Sequence, residues 1–165
     1  MNRGLNIPKV KEILTTKIVA LQPHFSIVDV IKIFNEYRIS SAPVINDSNE
    51  VIGYLSESDS IKSLGNSLFF DEQRNQTIDL IMSLDVFPAN PEWDIFELDN
   101  FFLSKAIRSA PVVDTHNHLI GVITRRDALK ALEKIVTDRA DYKRQIKEPI
   151  QLSESQRIKV IINNR

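Results

Sequence analysis

The chain has no cysteine among its 165 residues. That excludes disulfides, a thiolate nucleophile and any zinc site built on cysteine. No run of about 18 apolar residues occurs, so no segment reads as a membrane-spanning helix. The opening "MNRGLNIPKVKEIL" lacks the apolar stretch of a signal peptide, and a cytoplasmic location is the expectation. Neither sign of charge dominates: Lys and Arg number 21, Asp and Glu 22, for a formal net charge of −1. No global field therefore draws in nucleic acid or a membrane surface. Hydrophobic content of 42% and charged content of 26% are near the averages for globular proteins. The length suffices for one domain with a real core.

What the chain does contain is a phrase written twice. "GYLSESD" (53–59) and "GVITRRD" (121–127) share Gly, two apolar residues, a hydroxyl, two polar residues and Asp. They stand 68 positions apart, as do Pro43 and Pro111 in "SSAPVI" and "RSAPVV". The same offset aligns Pro23 with Pro91, Ile13 with Ile81, and Leu64 with Leu132, without a gap. A unit of about 50 residues buries little core by itself, so the two copies must pack together.

Each copy reads as β-α-β-β-α. An extended lead-in ("KIVAL", 17–21; "DVFPA", 85–89) precedes a helix. Ser26 with Asp29 and Asp94 with Glu97 resemble capping boxes. Ile27, Val30, Ile31 and Phe34 then form one apolar face; in the second copy Ile95, Leu98 and Phe102 do so, with Asp99 where an apolar residue is expected. Two strands follow, "APVI" and "VIGYL" or "APVV" and "LIGVI", joined by the polar turns "NDSNE" and "DTHNH". A second helix starts near Asp59 or Asp127.

The paired h-x-A-P-V-h…G-h-h-[ST]-x-x-D units resemble tandem cystathionine-β-synthase (CBS) domains, the pair often called a Bateman module. The lead-ins "VKEILTT" (10–16) and "TIDLIMS" (77–83) fit the family's opening helix and strand. The resemblance covers about residues 8–137. It implies an α+β fold in which two repeats, 8–64 and 78–137, pack about a pseudo-two-fold axis. Residues 65–77 would link them, with Phe69 and Phe70 as anchors, and 138–165 would form a C-terminal extension. It also implies two clefts, each able to hold an adenosine-containing ligand such as AMP, ATP, NAD or S-adenosylmethionine, and stacking of two modules into a disc-like homodimer. Such modules regulate rather than catalyse, so no catalytic residue and no required cofactor are expected.

Carried over residue by residue, the family pattern puts Thr124 and Ser56 at phosphate or ribose, and Asp127 and Asp59 at the ribose diol. Backbone at Ser41–Ala42 and Ser109–Ala110 would meet the adenine edge, and Ile18 and Val86 its faces. The residues themselves are consistent with this. Gly before the hydroxyl permits close approach of a ligand, and a helix N-terminus favours phosphate. An Asp carboxylate accepts hydrogen bonds from a diol. A plain strand-to-helix junction capped by Asp explains the same phrase. Arg125 and Arg126 in one copy against Glu57 and Ser58 in the other suggest unequal half-sites, the arginine-bearing one taking the anionic ligand; side chains pointing into solvent are the alternative.

His116 and His118 would need further ligands to hold a metal, and the aligned turn has none, so a solvated hairpin is expected there. His24 reads as a surface residue. In the tail, "TDRADYKRQ" extends the last helix, and Ile158, Val160 and Ile162 give a short strand signal that is either docked or free. The functional expectation is a sensor of an adenosine-containing ligand that signals to an effector protein in trans. The competing reading is a ligand-free interaction and dimerisation module.

Overall fold

The computed structural model describes the backbone of residues 7–70 and 76–146, and the side chains of residues 7–65 and 76–139. In chain order the elements are α1 (Val10–Ile13), α2 (Ile27–Tyr37), β1 (Ser41–Ile45), β2 (Val51–Ser56), α3 (Glu57–Phe70), α4 (Ile95–Ser104), β3 (Ser109–Val113), β4 (Leu119–Thr124) and α5 (Arg125–Ile146). A 3-10 turn, Ile78–Leu80, stands in the second copy where α1 stands in the first. The fold is α+β, and both copies have the same order of elements.

The expected caps form. Ser26 Oγ accepts the Asp29 N–H at 3.2 Å, and Asp94 Oδ1 accepts the N–H groups of Phe96 and Glu97. Helix α2 buries Ile27, Val30 and Phe34; α4 buries Ile95, Leu98 and Phe102. Asp99 is exposed, and its mate Ile31 is only half-buried. The position lies at the rim of the apolar face, so an aspartate is tolerated there.

Each copy folds its two strands into an antiparallel hairpin, β1 with β2 and β3 with β4, in equivalent register. In the turns, Asn46 Oδ1 accepts the N–H groups of Ser48 and Glu50, and Asp114 Oδ1 those of His116 and His118. Asn49 and Asn117 take the left-handed conformation (φ 63° and 66°) that asparagine tolerates. The expected lead-in strands shrink to one bridge each, Leu21 with Val44 and Ala89 with Val112, both parallel. Prolines explain this. Leu21 donates to the Pro43 carbonyl and accepts from the Ile45 N–H, both at 2.9 Å. The next bonds of a parallel ladder would need an N–H from Pro43 on one side and from Pro23 on the other, and neither has one. Pro111 and Pro91 block the second copy in the same way.

The lead-ins do something the order along the chain does not announce: they cross to the other copy. Thr15 pairs with Val122 of β4, and its mate Ser83 pairs with Tyr54 of β2. Lys9 bridges Asp94, and Thr77 bridges Ser26. Val10 is fully buried in the second copy's core with Leu98, Phe102 and Val112, while Ile78 is fully buried in the first copy's core with Leu21, Val30 and Leu55. Each core is completed by a residue of the other copy, worth about 1.5–3 kcal/mol of apolar burial apiece. The exchange of partners under the 68-residue offset gives the pair its pseudo-two-fold symmetry.

This crossing corrects the reading of the glycines. A Cβ on Gly53 would come within 2.5 Å of Met82 Sδ, and one on Gly121 would collide with Leu14 Cδ1 and sit 3.2 Å from the Thr15 carbonyl oxygen. The bare backbone at Gly53 and Gly121 admits the other copy's lead-in, not a ligand. Helix α3 continues to Phe70, so the first part of the expected linker is helical. The side chains of Phe69 and Phe70, and the strand signal around Val160, lie outside the described residues. Helix α5 reaches Ile146, as the charged segment 137–145 led one to expect. No described helix is long and apolar enough to cross a membrane.

Candidate functional site

The hairpins' turn-distal ends and the crossing lead-ins enclose a cleft of about 1270 Å³. Repeat symmetry governs it. Lead-in residues 17–19 run from the bridge at Val122 to the bridge at Val44, and 85–87 run from Tyr54 to Val112. Both sets line the cleft, including Ile18 and Val86. The two expected clefts thus open into one continuous space, larger than an ordinary ligand pocket of about 300–1,000 Å³.

Strand alternation decides which hairpin residues reach it. Ser41, Pro43, Tyr54 and Ser56 of the first hairpin, and Ser109, Pro111, Val122 and Thr124 of the second, face the cleft. Ala42 and Ala110 do not. They are 1% and 0% exposed and belong to the two cores, because successive strand residues point to opposite faces. The adenine contact expected at these two residues is made by backbone, which the burial of their side chains does not contradict.

The repeated phrase forms the same small structure twice. Ser56 caps α3: its Oγ donates to Asp59 Oδ2 at 2.5 Å and accepts the Asp59 N–H at 3.3 Å, while the Ser56 N–H donates to the same carboxylate oxygen. Thr124 and Asp127 repeat this on α5, with Oγ1 to Oδ2 at 2.6 Å. Asp59 and Asp127 are thus third helical residues, and the helices start two residues before them. The first helical N–H groups are already used, Glu57 on the Ser40 carbonyl and Arg125 on the Arg108 carbonyl. In both carboxylates Oδ2 serves the cap, whereas Oδ1 does not. Among the described residues, Asp127 Oδ1 meets Lys130 Nζ at 4.0 Å and no closer cation.

The charges differ between the ends. Arg108, Arg125 and Arg126 line the cleft at the second copy's helix start; Glu57 and Ser58 line it at the first, and Arg38, the C-cap of α2, lines the cleft as well. Arg125 donates from Nη2 to the Phe102 carbonyl at 3.0 Å, which ties its guanidinium to the C-terminal turn of α4. Arg126 and Arg108 have no ion pair among the described residues and are exposed. Of the two arginines expected to flank a phosphate, Arg126 is the uncommitted one.

Tyr54 was missed by sequence reasoning, as were Arg38, Arg108 and Lys17, which also line the cleft. The Tyr54 hydroxyl lies 2.8 Å from Ser109 Oγ and 3.4 Å from Ser41 Oγ, and burial holds its phenol above the ordinary value of 10.0. A signal existed: Tyr54 is two residues from Ser56 on one strand, so any face that presents Ser56 presents Tyr54 too. Its mate is Val122, so the two ends of the cleft differ in shape as well as charge.

Comparison with known proteins agrees with this architecture. The CBS domain family model matches residues 10–64 and 78–134. An uncharacterised 17.7 kDa protein of Acidianus ambivalens is 26% identical over 129 residues, covering 78% of this chain and 76% of its own. Among solved structures, the CBS domain pair of protein MJ0100 in complex with methylthioadenosine and S-adenosyl-L-methionine superposes with a TM-score of 0.68 at 23% identity. That match covers 78% of this chain and 98% of the other. CBSX2 in complex with AMP gives 0.70 at 22% identity, with the same coverages. With both repeats matched and the paired fold in place, this chain belongs to the CBS domain family.

Proposed function

We propose that the chain is a regulatory module that senses an adenosine-containing ligand in the cleft on its pseudo-two-fold axis. One observation carries the reading. Two hydroxyl–carboxylate caps, Ser56–Asp59 and Thr124–Asp127, face one cleft, each with a carboxylate oxygen left over for a ribose diol. The ligands of MJ0100 and CBSX2 support the class. Charge favours the Thr124–Asp127 end for the phosphate of an AMP-like or ATP-like ligand, because Arg126 and Arg108 stand there and Glu57 stands at the other. Ile18 and Val86 offer apolar walls for the base.

A ligand in this position touches both copies at once, through the hairpins and the lead-ins that join them. It therefore favours one relative arrangement of the repeats, which an effector protein in trans detects. We further propose that the module works in the cytoplasm as a homodimer. Exposed apolar residues support the dimer by recurring at the repeat offset: Ile61 with Leu129, and Val28 with Phe96. A regulatory role without catalysis is part of the same reading.

Calorimetry and thermal shift with AMP, ATP, NAD and S-adenosylmethionine test it. A bound ligand raises the midpoint by mass action. Arg126→Ala should weaken a phosphorylated ligand about tenfold or more, the value of a charge-assisted hydrogen bond. No response to any of the four would favour the ligand-free interaction module instead. Two equal sites, or unchanged affinity in Arg126→Ala, would remove the unequal-ends part alone.

A further inference from the structure

The turn of the second hairpin carries more chemistry than a turn requires. Both turns are closed by one side-chain oxygen that accepts two backbone N–H groups, from Asn46 in one and Asp114 in the other. In the first hairpin the donors belong to Ser48 and Glu50. In the second they belong to His116 and His118. Since only backbone is used, neither imidazole is needed for the turn to form. The remaining side-chain pairing has also changed character: Asn46 Nδ2 donates to Glu50 Oε2 at 2.6 Å, whereas Asp114 Oδ2 meets His118 Nδ1 at 3.0 Å.

Sequence spacing supplied two histidines and left the rest of a ligand set open; the fold supplies Asp114. One potential ligand atom from each of Asp114, His116 and His118 lies within 4.8 Å of the others. The imidazole rings are stacked with centroids 5.9 Å apart and planes 28° from parallel. His116 Nδ1 is engaged by Thr115 Oγ1 at 3.3 Å, which leaves Nε2 as the coordinating atom. Ligands on one tetrahedral zinc are about 3.3 Å apart, given bonds of about 2.0–2.1 Å. Small side-chain rotations on an exposed turn close that difference.

We propose that Asp114, His116 and His118 form a divalent transition-metal site with zinc-like His₂Asp coordination and a fourth position open to solvent. The location gives it a consequence. Asn117, within this turn, donates from Nδ2 to the Val51 carbonyl, and Asn49 returns the bond to Leu119, both across the repeats. A metal on the turn stiffens this joint between the copies. The joint stands about 10 Å along β3 from the nearest cleft residue of that strand, Pro111, three residues away, and none of the three proposed ligands lines the cleft, so the proposal does not depend on what the cleft binds.

The test is a titration of tag-free protein with zinc chloride, followed by calorimetry and by the imidazole NMR signals. The expected result is one zinc per chain, with the His116 and His118 resonances shifted and the His24 resonance unchanged. A variant carrying His116→Ser and His118→Asn keeps every backbone donor of the turn and loses only the half-exposed His118–Asp114 side-chain contact, so its metal-free melting temperature should stay close to the parent's. Its zinc affinity should fall about 100-fold or more, with two of three protein ligands gone. Equal zinc binding by parent and variant, no binding below about millimolar zinc, or loss of binding in His24→Asn would overturn the site.

Discussion

Ser41 Oγ and Ser109 Oγ lie 2.8 Å apart, and the two residues are repeat mates. A contact between mates is mapped onto itself when the copies are exchanged, so the pseudo-two-fold axis must pass between these hydroxyls. They belong to the cleft lining, which puts the axis through the candidate site. A ligand bound on the axis would therefore be alone, whereas one bound to a Ser/Thr–Asp cap could have a twin. Tyr54 is where the symmetry fails: its hydroxyl joins the serine pair, and Val122 has none to offer.

Tyr54→Phe should destabilise the fold by about 1 kcal/mol, the net value of one neutral hydrogen bond, because Ser41 and Ser109 still satisfy each other. The buried phenol also adds a pH dependence. Its raised value means its contribution is complete below the unfolded value near 10 and declines as pH rises above it. Chemical denaturation at about pH 7 and pH 11 measures both effects. The parent should lose more stability than Tyr54→Phe across that interval, and equal losses would show the hydroxyl is not held as described.

The exchange of lead-ins predicts that neither repeat is a folding unit. Ile78→Ala empties a fully buried site in the first copy's core although Ile78 belongs to the second, and should cost about 2–5 kcal/mol. Val10→Ala should act on the opposite core in the same way. Urea unfolding followed by Trp93 fluorescence, which reports on the second copy, checks this. Ile78→Ala should shift the Trp93 transition as much as it shifts the circular-dichroism transition. Two separate transitions would mean the copies unfold independently.

The glycines give an asymmetric prediction. At Gly53 the three atoms nearest an added methyl all belong to the flexible Met82 side chain, whereas at Gly121 they include the fixed carbonyl oxygen of Thr15 beside Leu14. Gly121→Ala should therefore cost more than Gly53→Ala, within the range of about 1–3 kcal/mol typical of overpacking. Melting temperatures of the two variants decide it, and a larger loss at Gly53 would contradict the packing of the lead-ins.

The duplication, the element order and the caps could be read directly, because offset, period and capping chemistry are local properties. The crossing of the lead-ins could not. Val10 and Ile78 are both aliphatic repeat mates, so packing each on its own copy or on the other satisfies the same pattern, and the repeat symmetry hides the choice. The glycines were misread for that reason: the need for close approach was visible, but not which backbone would approach. Around the site, the Ser/Thr–Asp pairs stood out by repetition, and Tyr54 escaped notice because its mate is a valine. The one-bridge lead-ins were hidden by register. Pro43 and Pro23 block a parallel ladder only once Leu21 is known to pair with Val44.

Acid should reveal the ionic contact that pins the first lead-in to the second copy. Glu92 receives Lys9 Nζ at 2.7 Å and Lys11 Nζ at 2.6 Å, and the two ammonium groups hold its carboxyl down to about 2 from 4.5; in return Lys9 is held above its ordinary value. A depressed carboxyl contributes stability that is complete above the unfolded value near 4.5. The contribution declines as pH falls through the interval and is gone below about 2. Glu92→Gln should thus melt at a lower temperature than the parent at about pH 6, and the difference should vanish by about pH 2. The shift should be small and shrink in high salt, because all three side chains are exposed and solvent screens them. Glu12, which accepts only the Lys9 backbone N–H within α1's own first turn, serves as the control. If Glu12→Gln reproduced the acid profile of Glu92→Gln, the effect would belong to the helix start and not to the tie between the copies.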